Sequence, residues 1–439
     1  MDQTDNPSHL RMGPMFARGC CGEHGLTSNG ITRRRFVQVT GAGALGTVAL
    51  SGLSWTAIVS EQKDDKFPNQ RQPLLVKPIL TYEVPQRREK TSWRSWGGIQ
   101  TEQDAGEEKI RIEEELKAIA FGADFPVSFM PVSKVRSNQD LITITDLESA
   151  DLFIVYAAGG SMNIFDTLNK MGKNIIIFCR HKSGPVYLWY EIISPRYLRQ
   201  HTDNLAVKGI DEADVVIDSQ DDLMWRLRAL CGLKNTLDST ILAIGGPGAW
   251  AQPEGVVPAL VRDKYRLDIR TITYEELGRL IIEARKEKSL ITGARSRADR
   301  YLQDTGIKLE TDRQYVENCF VLEEIFIKLM KRYNCRALTI NECMGTIMPL
   351  AETTACLTLS LLNDDGYLAF CESDFVVVPS GILMANISGR PSFLNDPTFP
   401  HNNMITLAHC TAPRRMDGKK LDPARILTHF ESDYGAAPK

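Results

Sequence analysis

No C-x-x-C pair and no framework spacing links the ten cysteines of this chain. That excludes the disulfide scaffold of a small secreted domain and the paired-cysteine pattern of a structural zinc site. An excess of one charge is also missing. With 52 Lys and Arg against 55 Asp and Glu, the formal net charge is −3, so the basic footprint of a nucleic-acid binder is lacking. No internal repeat is present. No G-x-G-x-x-G fingerprint opens a helix either. Gly245-Gly246-Pro247-Gly248 reads as a tight turn or as a cradle for ligand oxygens, and dinucleotide binding is unsupported. What the chain does have is length and apolar content. Its 439 residues, 43% of them hydrophobic, suffice for two or three domains with cores of their own.

The first sixty residues read as an address. Thr32-Arg33-Arg34-Arg35-Phe36-Val37 precedes a weakly apolar run, Val39 to Val59, interrupted by Gly41, Gly43, Gly46 and Gly52. This resembles a twin-arginine export signal, which implies the Tat translocase as a transient partner and a periplasmic destination. No clean A-x-A site follows the run, so cleavage near residue 60 and a retained anchor facing the periplasm both stay open. Glu61 to Gln72 is a polar linker.

From about residue 73 the pattern alternates between strand and helix. Leu74–Leu80, Asp151–Ala157, Asn174–Cys179, Ala213–Asp218 and Ser239–Ile244 are short apolar runs. Several are bounded by glycine, as suits buried parallel strands. The spacing leaves room for crossover helices, including an amphipathic one at Ile110–Ile119. The fold class is therefore α/β, with flavodoxin-like, doubly wound N-terminal and middle domains. Thr273 with Glu276, and Thr311 with Gln314, have capping-box spacing before two helices. Ala337–Ile340, Tyr367–Cys371 and Ile405–Cys410 read as further strands, and Glu352–Leu362 as a buried helix. The expected segments are a signal region at 1–60, a linker with the first strand at 61–110, an N-terminal α/β domain at 111–232, a middle one at 233–335, and a C-terminal metal-site domain at 336–439.

Chemistry concentrates in the last hundred residues. Asn341-Glu342-Cys343, Glu372-Ser373-Asp374 and His409-Cys410 each close a strand-like run, and α/β folds place their sites at the carboxyl ends of strands. Two carboxylates and an imidazole suit a hard or borderline divalent cation such as Mn²⁺. Each residue also has a plainer reading. Asp374 caps a helix starting at Phe375, Glu372 orients a ligand or joins a salt bridge, Asp396 before Pro397 is a turn residue, and His409 is a core histidine. Arg180, His181, Tyr187 and Trp189 follow the second of the Gly-bounded strands. They line a sugar pocket or form an ordinary βα loop. Asn402 and Asn403 contact sugar or make a turn.

Three segments carry a family resemblance: CLTLSLLNDDGYLAFCESD (Cys356–Asp374), SGRPSFLNDP (Ser388–Pro397) and LAHCTAP (Leu407–Pro413). They look like the C-terminal part of the L-fucose/L-arabinose isomerase-like superfamily. The likeness is motif-level over residues 335–415 and architectural over 73–335. It implies a C-terminal α/β domain of the fucose isomerase type, and a Mn²⁺ site built from two carboxylates and a histidine. It also implies an intramolecular oxidoreduction that interconverts an aldose and a ketose through an enediol. Carried onto this sequence, Asp374 matches the second carboxylate and His409 the ligand histidine. Glu342 is the first carboxylate and catalytic partner, with Glu352 the alternative. The resemblance implies a trimeric or hexameric homo-oligomer. Two other functions fit the same residues: an exported carbohydrate-binding protein without turnover, and an epimerase using the same metal site.

Overall fold

A computed structural model describes residues 71–86, 88–90, 98–182, 210–253 and 255–439. The twin-arginine region, residues 1–60, lies outside the described residues, as do Tyr187 and Trp189. The chain forms two compact units, Arg71–Asn235 with Asn386–Gly389, and Thr236–Ala385 with Arg390–Lys439. Both are α/β units built on parallel sheets. Among the described residues no single helix is long and apolar enough to cross a membrane.

The first unit holds β1 (Leu74–Thr81), α1 (Glu102–Gly122), β2 (Val127–Phe129), β3 (Ser133–Val135), α2 (Asn138–Ile142), β4 (Leu152–Ala157), α3 (Met162–Lys170), β5 (Asn174–Cys179), β6 (Val215–Ile217) and α4 (Gln220–Lys234). Its sheet runs β2-β1-β4-β5-β6, all parallel, with β3 also on β1. Counting β2 and β3 as one interrupted strand gives the order 2-1-3-4-5 of a flavodoxin-like sheet. The interruption has a local cause. Pro78 sits inside β1 and has no N–H to donate, and pairing on that side lapses between Val76, opposite β2, and Ile79, opposite β3. Lys77 is 2% exposed and is held by the Asp146 carboxylate and the Pro131 carbonyl, at 2.8 and 2.9 Å. The expected boundary at 110/111 falls inside α1, whose Thr101–Asp104 capping box starts the helix eight residues earlier than the sequence pattern suggested.

The second unit has a central sheet of β7 (Thr240–Ile244), β8 (Asp268–Ile272), β10 (Ala337–Ile340) and β11 (Leu368–Phe370), in the order β11-β10-β7-β8 and all parallel. The expected middle and C-terminal domains thus contribute two strands each to one sheet. Helices α5 (Val256–Lys264), α6 (Tyr274–Lys286), α7 (Lys288–Leu302), α8 (Arg313–Arg332), α9 (Met348–Ala351), α10 (Cys356–Asp364) and α11 (Val378–Ser388) accompany it. A small sheet runs β15-β14-β9, from β9 (Ile307–Glu310), β14 (Ala424–His429) and β15 (Tyr434–Pro438).

Three expectations are corrected here. The cap of α8 is Asp312, whose carboxylate accepts from the Gln314 N–H at 2.8 Å, while the Thr311 hydroxyl turns away to the Gly435 carbonyl. Glu352 does not open the buried helix. It follows α9 in a left-handed conformation, φ 54°, and α10 begins at Cys356. Ile405–Cys410 is not a strand of the parallel sheet. Only Leu407–Ala408 (β13) is extended, paired antiparallel to Asp396–Pro397 (β12). Ile405 and Leu407, at 50% and 52% exposure, belong to a surface hairpin, so their apolar character gave no burial signal.

Helix α10 is buried along its whole length, and its polar side chains serve as ties. Thr354, just before it, donates to the Ala436 carbonyl at 3.2 Å, and Ser360 to the Ala412 carbonyl at 2.8 Å. Asp364 accepts from the Arg415 N–H at 2.7 Å. Strand β15 can approach because Gly435 has φ 78° and no side chain, where a Cβ would lie 2.5 Å from the Thr354 nitrogen. These ties set residues 409–415 and the β14–β15 hairpin against the start of α10.

Candidate metal centre

Three strand ends meet at the carboxyl edge of the second unit's sheet. β7 runs into Gly245-Gly246-Pro247-Gly248, β10 into Asn341-Glu342-Cys343, and β11 into Cys371-Glu372-Ser373-Asp374. Strand order reverses between β7 and β10, and open α/β sheets leave their ligand crevice at such a reversal. The glycine loop is bound to the exit of β11. The Gly248 N–H donates to the Ser373 carbonyl at 3.0 Å, the Phe375 N–H to the Gly248 carbonyl at 3.1 Å, and the Ser373 hydroxyl to the Gly246 carbonyl at 2.8 Å. Asp374 completes the connection. Its Oδ1 accepts from the Trp250 N–H at 3.1 Å and the Val376 N–H at 3.0 Å. Its carbonyl accepts from the Val377 and Val378 N–H groups at the entry to α11.

The backbone around this edge is costly. Glu342, Glu372 and Ser373 have φ of 47°, 64° and 49°, a region that residues with a Cβ avoid and that clusters at ligand sites. Cys343–Ile347 forms a π-type turn, another feature that recurs at functional sites. Tyr274 packs on Gly245, where a Cβ would lie 2.5 Å from the ring. Burial first, then the neighbouring Cys343, Glu342 and Cys371, push the Tyr274 phenol far above its usual range. Its hydroxyl is buried with no hydrogen-bond partner.

A hairpin brings Glu372, Asp396 and His409 together. Asn402 and Asn403, φ 50° and 59°, form the two-residue turn with positive φ at both positions that suits a tight hairpin. His401 and Met404 exchange N–H···O bonds of 2.9 and 2.8 Å across it. The register sets Asp396 opposite Ala408, beside His409, and the exit of β11 supplies Glu372. The ligand atoms of Glu372, Asp396 and His409 lie within 4.8 Å of one another. His409 Nε2 is 3.6 Å from Glu372 Oε1. The Thr411 hydroxyl meets His409 Nδ1 at 2.9 Å, which orients the ring as outer partners orient metal-bound histidines. Nε2 is buried and has no hydrogen bond. An imidazole nitrogen turned toward two carboxylates without bonding to either fits a divalent cation that prefers oxygen and imidazole donors. Glu431 adds negative charge. Burial, then the charges of Glu372 and Asp396, raise its carboxyl above the usual range.

The other expected residues lie elsewhere. Glu342 is exposed on its strained turn and is not in the group around His409. Glu352 pairs with Arg285 at 3.2 Å. Asn403 is in the hairpin turn. In the first unit, Arg180 is 1% exposed, with Nε 2.7 Å from Glu108 Oε1 and Nη2 2.9 Å from Glu115 Oε2. The His181 N–H donates to both Asp218 oxygens at 3.1 Å. By sequence alone Glu372 reads as an orienting or salt-bridging carboxylate and Asp396 as a turn residue. Tyr274 and Glu431 carried no signal, since neither belongs to a local pattern. Compared with known proteins, the chain matches no protein-family model, and no curated protein is significantly similar to it.

Proposed function

We propose that the chain is a divalent-cation-dependent, sugar isomerase-like protein that interconverts an aldose and a ketose through an enediol, with Glu372, Asp396 and His409 as the cation's ligands. One observation carries this reading. The three segments that look like the C-terminal part of the fucose/arabinose isomerase-like superfamily, Cys356–Asp374, Ser388–Pro397 and Leu407–Pro413, are those that contribute Glu372, Asp396 and His409, whose ligand atoms lie within 4.8 Å.

When bound, Mn²⁺ or a similar cation supplies Lewis acidity toward the carbonyl and hydroxyl oxygens of an open-chain sugar. The chain's own groups do the remaining work. His409, held by Thr411, and the two carboxylates fix the position of those oxygens. Glu431, whose carboxyl is raised by burial and by its acidic neighbours, takes the proton from the carbon next to the carbonyl and returns it to the adjacent carbon. The exposed Glu342 is the group offered to sugar hydroxyls beyond the reacting pair.

The reading keeps export by the twin-arginine route and a periplasmic site of action. It also keeps a homo-oligomer of trimer or hexamer size. The hairpin between β12 and β13 supports the latter, because Phe399, Met404, Ile405 and Leu407 stand 50–71% exposed, as residues awaiting a subunit contact do. A binding protein without turnover is the second reading. It is favoured by Asp374, the residue matched to the family's proton-shuttling carboxylate, whose Oδ1 is committed to two backbone amides. The test is an aldose panel with Mn²⁺ and the Glu372→Gln variant. Ketose formed by the native chain and lost in the variant supports the isomerase. Full turnover in the variant overturns it, and sugar binding with no ketose moves the assignment to the binding protein.

A further inference from the structure

The residue after His409 belongs to a second cluster with different chemistry. Cys356, Cys410 and His429 are 1%, 3% and 1% exposed, and their ligand atoms lie within 4.8 Å of one another. Cys356 Sγ is 3.2 Å from Cys410 Sγ. The imidazole of His429 is buried but weakly held, since Nε2 has no hydrogen-bond partner and Nδ1 receives only a long 3.3 Å contact from the Glu431 N–H. Three segments far apart in sequence converge here: the first residue of α10, the loop after β13, and the last residue of β14.

Each group is ready to bind a metal. Cys356 occupies the first turn of α10, whose N-cap, Ala355, supplies no side-chain hydrogen bond. A helix N-terminus favours a thiolate, and Cys356 Sγ already lies within hydrogen-bond distance of Cys410 Sγ. His429 Nε2 is buried with no hydrogen-bond partner, and a neutral imidazole nitrogen is a common metal ligand. Two thiolates and a neutral imidazole carry a charge of −2, which a divalent ion balances. Soft sulfur donors select zinc over the hard ions that carboxylates prefer. The sulfurs of two cysteines on one tetrahedral zinc are about 3.8 Å apart, from Zn–S bonds of about 2.3 Å. The observed 3.2 Å therefore needs a smaller adjustment than a disulfide, which would bring the sulfurs to about 2.05 Å.

We propose that Cys356, Cys410 and His429 form a buried zinc site that clips α10, the His409 loop and β14 together, next to the carboxylate centre but separate from it in donor chemistry. The spacing of the cysteines hid this site, because its ligands come from three segments and form no C-x-x-C pair. The proposal stands on its own residues and does not depend on the isomerase reading.

The test uses the full chain, purified under reducing conditions, stripped with a chelator and titrated with Co²⁺. The expected result is a thiolate-to-cobalt charge-transfer band at about one equivalent, bleached by stoichiometric Zn²⁺. Cys356→Ser and Cys410→Ser abolish the band, and Glu372→Gln leaves it unchanged. His429→Gln keeps both thiols and so guards against a misfolded serine variant. It weakens zinc retention at least tenfold while circular dichroism stays native. A folded chain with both thiols reduced and no charge-transfer band overturns the proposal. So does a Cys356–Cys410 disulfide recovered from protein purified with zinc present, which would make the pair a redox couple instead.

Discussion

Arg180→Met removes a charge while filling most of the space its side chain occupies. The guanidinium lies over the Phe178 and Tyr156 rings, at 5.4 and 5.8 Å from their centroids. It bonds Glu108 and Glu115, two residues on the same face of α1. Glu108 is as buried as the arginine, and Arg111 lies 3.8 Å from it. Glu115 is 23% exposed, so water recovers part of what it loses. The cost is that of breaking a buried pair from one side, about 3–5 kcal/mol. The penalty depends on pH. Removing the guanidinium disfavours the ionised form of the buried Glu108 carboxylate, so the loss is small in acid and grows as pH rises through the carboxylate range. Adding Glu108→Gln to the variant should restore at least half of it. The assay is native-state hydrogen exchange at β4 and β5, whose amides exchange when the sheet opens. A loss below about 1 kcal/mol at neutral pH refutes the structural role. An unchanged sheet with weakened sugar affinity would return Arg180 to the pocket expected from its place after β5.

Three further outcomes follow from the second unit. Burial raises Glu323 to about 7, despite Arg297 at 3.3 Å, and its Oε2 is buried without a hydrogen bond. A raised carboxyl means that this contribution is present below the unfolded pKa of about 4.5 and is lost as pH rises to about 7. Glu323→Gln should thus remove a decline of about 3 kcal/mol across that window in urea unfolding. Asp374→Ala strips the acceptor from the Trp250 and Val376 amides and should cost about 2 kcal/mol, seen as faster exchange of both, whereas Asp374→Asn keeps an acceptor oxygen and loses less than half of that. Tyr274→Phe deletes a buried hydroxyl with no partner, so thermal stability should hold or rise.

Much of the fold could be read from the sequence because its strands are buried on both faces. β5 and β10 are short, mostly apolar runs followed by polar residues, and the sequence pattern located them to the residue. Periodicity failed where burial was absent. Ile405 and Leu407 are apolar yet exposed, so a surface hairpin read as a sheet strand. It also said little about starts and caps. Asp312 took the place of Thr311, and a capping box at Thr101 extended α1 through a charged stretch with no apolar stripe. At the site, His409 and the edge formed by the ends of β10 and β11 were visible. The partners of His409 were not, because Asp396 reaches it through the β12–β13 register and Glu372 through a left-handed turn. Both are three-dimensional facts with no local signature. The Cys356–Cys410–His429 cluster was hidden for the same reason.

The central claim is that Glu372, Asp396 and His409 hold one hard divalent cation, and electron paramagnetic resonance of a Mn²⁺ titration tests it directly. The full chain should bind about one Mn²⁺ tightly, and Glu372→Gln and His409→Ala should each release it with circular dichroism unchanged. Equal binding by the native chain and both variants, or none by a folded native chain, would contradict the account and leave the carboxylate group a structural feature.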